Sequence, residues 1–131
     1  MVDFAGWSMP VQYTSITEEH RATRQRASLF DVSHMGRLLL EGRDAGAFLE
    51  SLLTRRIADL PCGRIRYSLV TQDHGGILDD VLVYHLRSAQ RPSFLWMVVN
   101  ASNRRKILEW LAAHQSSGMD VRIHDQTQTT A

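Results

Sequence analysis

Two adjacent carboxylates, Asp79 and Asp80, stand inside Gly75-Gly76-Ile77-Leu78-Asp79-Asp80-Val81-Leu82-Val83-Tyr84, a run that otherwise reads as a buried β-strand entered through a glycine turn. Successive side chains of a strand point to opposite faces, so one carboxylate must face each way. With period two, Asp79 shares a face with Ile77, Val81 and Val83, and Asp80 with Leu78, Leu82 and Tyr84. A carboxylate in apolar surroundings must be met by donors, give up its charge or do chemistry. Ionised, it only accepts hydrogen bonds, which suits a ligand presenting paired N–H donors, such as the edge of a pterin or guanine-like ring. The same pair also reads as plain structure, with Asp79 capping local amides and Asp80 meeting an arginine at the rim.

Other side chains invite a chemical reading beside a structural one. Tyr67 and Tyr84 can flank a flat ligand or pack in a core. Asn100 closes an apolar run and opens a helix, so it serves as an N-cap or presents its amide to a ligand at the Asp79 end of the sheet. Met35 is polarisable enough to lie on a ring and flexible enough to fill a gap. Asp31, Ser33 and His34 contain the residue types of a hydrolase triad, but they crowd too closely in sequence to orient one another, and His34 reads as a satisfied structural histidine. Cys62 is the single cysteine, in a Pro61–Gly63 loop without metal-type spacing; it reads as an incidental thiol in a reducing compartment. The histidines are scattered, without metal-site spacing, and neither common phosphate-binding glycine loop occurs.

The 131 residues suffice for one domain with a core, and a net charge of +1 offers no field for nucleic acid or an anionic membrane. Basic charge is almost all arginine, Lys106 being the one lysine, a pattern codon usage explains before anion recognition does. Arg104-Arg105-Lys106 at the start of a helix opposes the dipole and hints weakly at an anionic partner. No apolar run approaches the ~20 residues that span a membrane, and the first residues do not form a secretory signal.

The elements that must position these residues follow from pattern. Residues 1–14 read as an extended segment or loop around Met9-Pro10. Ser15-Ile16-Thr17-Glu18 matches a capping box for a helix to Leu29, with one shallow packed face. A strand follows over Phe30–Glu41. Asp44 caps a second helix through Leu53 whose stripe is Ala45, Phe48, Leu49, Leu52 and Leu53. Residues 54–63 form a loop. Arg64–Thr71 and Ile77–Leu86 form a hairpin, Phe94–Val99 a central strand, Asn100 to about His114 a helix, and Met119–Ile123 a last strand. The tail from Asp125 is polar, lacks a closing element and reads as a chain interrupted in mid-course. The order α, β, α, β, β, β, α, β predicts an α+β domain, a mixed or antiparallel sheet backed by helices.

Several motifs together resemble the amino-terminal part of the glycine cleavage system T-protein family, the aminomethyltransferases. They are Val2-Asp3-Phe4-Ala5-Gly6-Trp7 with Met9-Pro10, Glu19-His20, and Leu29-Phe30-Asp31-Val32-Ser33-His34-Met35-Gly36. Gly63–Tyr67, the Gly75–Tyr84 run and Val98-Val99-Asn100-Ala101-Ser102-Asn103 continue the resemblance in register, to about residue 124. It implies that residues 1–131 are the amino-terminal portion of a longer, folate-binding, multidomain enzyme, inactive alone, whose folate-tail contacts lie outside this chain. The implied reaction passes an aminomethyl group from the lipoyl arm of H-protein to tetrahydrofolate, with release of ammonia and formation of 5,10-methylenetetrahydrofolate. Asp79 is then the catalytic, pterin-side aspartate, and Tyr67, Met35, Tyr84 and Asn100 line the pocket with it. No nucleic acid, membrane or metal is implied, and the location is the cytoplasm, or the mitochondrial matrix of a eukaryote. Two rival readings remain: a folate-dependent demethylase domain of a dimethylglycine- or sarcosine-oxidising flavoenzyme, and a non-catalytic folate-binding protein of iron–sulfur assembly.

Overall fold

The structure, a computed structural model, describes residues 1–130 and divides into two compact units, Met1–His34 and Met35–Ala131.

The first unit opens with a hairpin of β1 (Val2–Phe4) and β2 (Trp7–Met9), where an extended segment or loop is expected. Ala5 and Gly6 both take positive φ, 53° and 82°. That is the primed two-residue turn whose twist matches paired strands. Helix α1 (Ile16–Gln25) begins at Ser15, whose Oγ accepts from the Glu18 N–H at 3.2 Å. Glu19, rather than the expected Glu18, reaches back, accepting from the Tyr13 and Thr14 amides at 2.7 Å each. Those two amides hold the Glu19 carboxyl below the usual glutamate range. The helix stops short of Leu29 and buries none of its residues, so the shallow packed face does not form.

The second unit is an antiparallel five-stranded sheet, in the order β4 (Ile65–Thr71), β5 (Ile77–Leu86), β6 (Phe94–Val99), β3 (Gly36–Glu41), β7 (Arg122–Asp125). Helices α2 (Ala45–Leu52) and α3 (Arg104–His114) add to the core, and Leu53, Ile57, Leu60 and Val121 from the connecting segments complete it. Leu38 and Leu40 of β3, Val70 of β4, Val81 and Val83 of β5, and Leu95, Met97 and Val99 of β6 pack with Phe48, Leu49, Ile107 and Leu111. Each such fully buried side chain contributes about 1.5–3 kcal/mol. The α+β expectation holds, with the sheet wholly antiparallel.

Strand β3 starts six residues later than expected. The Ser33 N–H donates to Asp31 Oδ1 at 2.9 Å, a local turn that competes with a ladder, and Phe30 and Val32 are exposed. Asp44 makes no side-chain cap on α2; its carboxylate instead accepts from the Asp120 N–H at 2.9 Å, which holds it below the usual aspartate range. The last strand is displaced to Arg122–Asp125, and the polar tail is fastened. Thr127 is buried, its N–H and hydroxyl donate to Asp125 Oδ1, and the Arg37 guanidinium donates to the carbonyls of Thr127 and Thr130.

Candidate functional site

The hairpin β4–β5 and the central strand β6 decide where each candidate side chain points. Val70 lies opposite Asp79, but Thr71 lies opposite Ile77, so Leu78 is the extra residue of a β-bulge beside the aspartates. The bulge breaks the simple alternation. Leu78 packs against the core, Ile77 is exposed, and regular period two begins only at Asp79.

From there the two carboxylates part company. Asp79 faces inward on the side of Val81 and Val83 and is 4% exposed. Its Oδ2 accepts from the Asn100 backbone N–H at 3.0 Å; its Oδ1 accepts from Asn100 Nδ2 at 2.8 Å and Asn103 Nδ2 at 2.7 Å. All these donors are neutral amides at the junction between β6 and α3. Asn100 makes no side-chain cap to the helical turn that follows it, because its amide is spent on the carboxylates.

Asp80 belongs to the opposite, open face. Its Oδ1 accepts from Asn100 Nδ2 at 2.9 Å, and its backbone carbonyl accepts from the same nitrogen at 3.2 Å. Tyr67, half exposed, lies on the same face, one row along the β4–β5 ladder from Asp80. Desolvation first, and the nearby Asp80 carboxylate next, lift the Tyr67 phenol above its ordinary range, so it stays protonated and able to donate.

Register fills in the rest of this face. Tyr67 pairs with Leu82, Leu82 with Val98, and Ile65 with Tyr84, which pairs with Trp96. Ile65, Tyr67 and Leu82 are exposed apolar surface beside a charged oxygen. Met35, half-buried, directly precedes β3; Gly36 pairs with Val99, so Met35 lies next in register to Asn100. Tyr67, Asp80, Asn100 and Met35 therefore gather at one sheet end. Tyr84 lies a row further along the same face, and Asp79 lies behind it. Asn103, absent from the sequence-based candidates, completes the inner cluster; the Asn-x-x-Asn spacing across a helix start is the signal that could have found it.

The remaining candidates lie elsewhere. His34 Nδ1 is buried without a hydrogen-bond partner, and its ring meets Phe4 edge-on at 5.5 Å, so the satisfied histidine is not what forms. A cavity of about 430 Å³ in the first unit has Trp7, Met9, Tyr13, Phe30 and His34 in its wall; the sheet-end residues are not part of it. Cys62 is exposed and free. Among the described residues no His, Cys, Asp or Glu grouping could hold a metal, and no helix is long and apolar enough to cross a membrane.

A family model described as the GCVT N-terminal domain matches residues 1–131. The chain belongs to that family. Its relatives include the aminomethyltransferase of Thermotoga maritima, 44% identical over 131 residues, which are the whole of this chain and 35% of that protein. The aminomethyltransferase of Geobacillus kaustophilus is 44% identical over 130 residues, 99% of this chain and 34% of that protein. The crystal structure of the glycine cleavage system aminomethyltransferase T from Bartonella henselae superposes with a TM-score of 0.84 at 34% identity, covering 95% of this chain and 33% of that one. The chain thus spans about a third of the length of these relatives, and the GCVT N-terminal fold is the one described above.

Proposed function

We propose that this GCVT N-terminal domain is the folate-binding part of a longer aminomethyltransferase of glycine cleavage. It works where glycine is cleaved, the cytoplasm or a mitochondrial matrix. An aminomethyl group carried on the lipoyl arm of H-protein goes to tetrahydrofolate. The carbon–sulfur bond and the carbon–amine bond of the aminomethyl group break, and two carbon–nitrogen bonds to folate form. One folate N–H proton goes to the lipoyl thiolate and the other leaves with ammonia, giving 5,10-methylenetetrahydrofolate.

The observation that supports this reading is the meeting of Asp80, Tyr67 and Asn100 on an open sheet face in a chain of this family. The donor set suits a pteridine. Asp80 is acceptor-only, Tyr67 and Tyr84 offer ring faces, and Asn100 has a side-chain oxygen that no protein group donates to among the described residues. In this reading Asp80, not Asp79, is the aspartate that touches folate; it orients the nucleophilic nitrogen and stabilises positive charge developing nearby. Asp79, the residue singled out by sequence resemblance, acts from behind the face. Met35 flanks the same end.

The full-length chain, supplied with tetrahydrofolate and aminomethylated H-protein, should release ammonia and methylenetetrahydrofolate in equal amounts. Asp80→Ala should abolish most of that turnover, and the 131-residue chain alone should show none. Wild-type turnover in Asp80→Ala would overturn the assignment, and a full-length chain that turns over only an N-methylated amino acid would favour the demethylase reading.

A further inference from the structure

We propose that Asp79 and Asn103 are positioning residues that lock the Asn100 amide in one orientation and thereby set the acceptor edge offered to a ligand by Asp80 and Asn100. The inference rests on the preceding reading, in which the Asp80 face takes folate.

The argument starts from cost. An aspartate that is 4% exposed, with Val81 and Val83 on its own side of β5, needs strong compensation. The compensation given is unusual for a purely structural carboxylate. It contains no arginine or lysine, only the Asn100 N–H, Asn100 Nδ2 and Asn103 Nδ2. These donors come from one short segment, the end of β6 and the turn into α3. Asp79 thus ties that segment to β5 through side-chain amides that have orientations to lose.

Asn100 Nδ2 sits 2.8 Å from Asp79 Oδ1 and 2.9 Å from Asp80 Oδ1. A flipped amide would set its own oxygen against two carboxylate oxygens, so only one orientation is tolerated. In that orientation the Asn100 side-chain oxygen is the atom left over, an acceptor beside the Asp80 carboxylate. Asp80 alone does not fix it, because Asp80 is exposed and its pull is shared with water. Asp79, withdrawn from solvent, supplies the stronger hold. Asn103 adds a donor to Oδ1 and keeps that oxygen aimed at the junction. A ligand edge carrying adjacent N–H groups is then favoured over one carrying acceptors.

A double-mutant cycle on the full-length chain, read by tetrahydrofolate titration, tests this. Asp79→Asn and Asn100→Ala should each weaken binding about tenfold, the size of one charge-assisted hydrogen bond. The double variant should bind about as weakly as Asn100→Ala alone, because Asp79 acts through Asn100. Asn103→Ala should weaken binding by about three- to tenfold in the wild-type background and not at all on Asn100→Ala. Additive losses, or wild-type affinity in Asp79→Asn, overturn the proposal. Should Asp79→Asn fail to fold, the Asn103→Ala pair decides by the same criteria. Asp80→Ala in the same titration separates the two readings. If it binds like wild type, the folate face itself is misplaced; if it loses binding while the cycle is additive, only the positioning role falls.

Discussion

Removing the Asp79 carboxylate should destabilise this domain far more than removing its neighbour. In Asp79→Ala the Asn100 backbone N–H and Asn103 Nδ2 lose their acceptors, while Asn100 Nδ2 keeps Asp80. Each orphaned donor in a buried setting costs about 1–3 kcal/mol. Part of this is returned, because a desolvated carboxylate is no longer buried. The net expectation is about 2–4 kcal/mol lost for Asp79→Ala. Asp80 is exposed, and Asn100 Nδ2 retains Asp79 when Asp80 is gone, so Asp80→Ala should cost about 0.5 kcal/mol or less. Urea unfolding of the 131-residue chain followed by circular dichroism measures both, with equal m-values as the condition for comparing midpoints. If Asp79→Ala unfolds at the same urea concentration as Asp80→Ala, the buried carboxylate is not holding the β6–α3 junction and the reasoning fails.

Three further outcomes follow from the geometry. Glu50 accepts from the Ala58 and Ile57 amides at 2.7 and 2.9 Å, and those bonds, with Arg56 nearby, hold its carboxyl below the ordinary glutamate range. A depressed folded value means stability that is present above the unfolded value and lost as pH falls through the folded one. The protection factors of the Ile57 and Ala58 amides, measured against the intrinsic exchange rate at each pH, should therefore fall on acidification below the usual glutamate range and lose that dependence in Glu50→Gln; a flat wild-type protection profile would refute it. Gly42 has φ +118°, and an added Cβ would stand 2.0 Å from the Asp120 carbonyl oxygen. Gly42→Ala should cost about 3 kcal/mol or more, whereas Gly46→Ala in α2, with open space around it, should stabilise by about 0.5–1 kcal/mol; thermal melts that rank them otherwise contradict the backbone described. Phe48, 1% exposed in the core, should cost about 3–5 kcal/mol as alanine, and a loss under about 1 kcal/mol in urea unfolding would deny its place there.

Much of the second unit was legible in the sequence because strong periodicity and long-range packing agree there. Ile77–Leu86 and Phe94–Val99 appear with the expected bounds, and the α2 stripe of Ala45, Phe48, Leu49 and Leu52 is the one that is buried. The misses are local devices that pattern does not carry. Ala5-Gly6 is a weak hairpin signal beside Asn-Gly, yet both residues take positive φ. Asp31 diverts the backbone into a turn before β3, and Asp44 spends its carboxylate on a distant amide rather than on its own helix. At the site, the sequence located the aspartate pair and predicted that its members face opposite ways. It could not tell which side is open, because that depends on which face α2 and α3 cover. Nor could it register the bulge at Leu78, or the Asn103 amide turning back to a carboxylate of the preceding hairpin.

The most direct measurement is a crystal structure of the full-length chain with tetrahydrofolate bound. A pteridine should lie on the open face against Tyr67, with a ring N–H at about 2.7–3.0 Å from an Asp80 carboxylate oxygen and Asp79 still held by Asn100 and Asn103. A pteridine whose donors meet Asp79 instead, or one lying off this sheet face altogether, would contradict that placement.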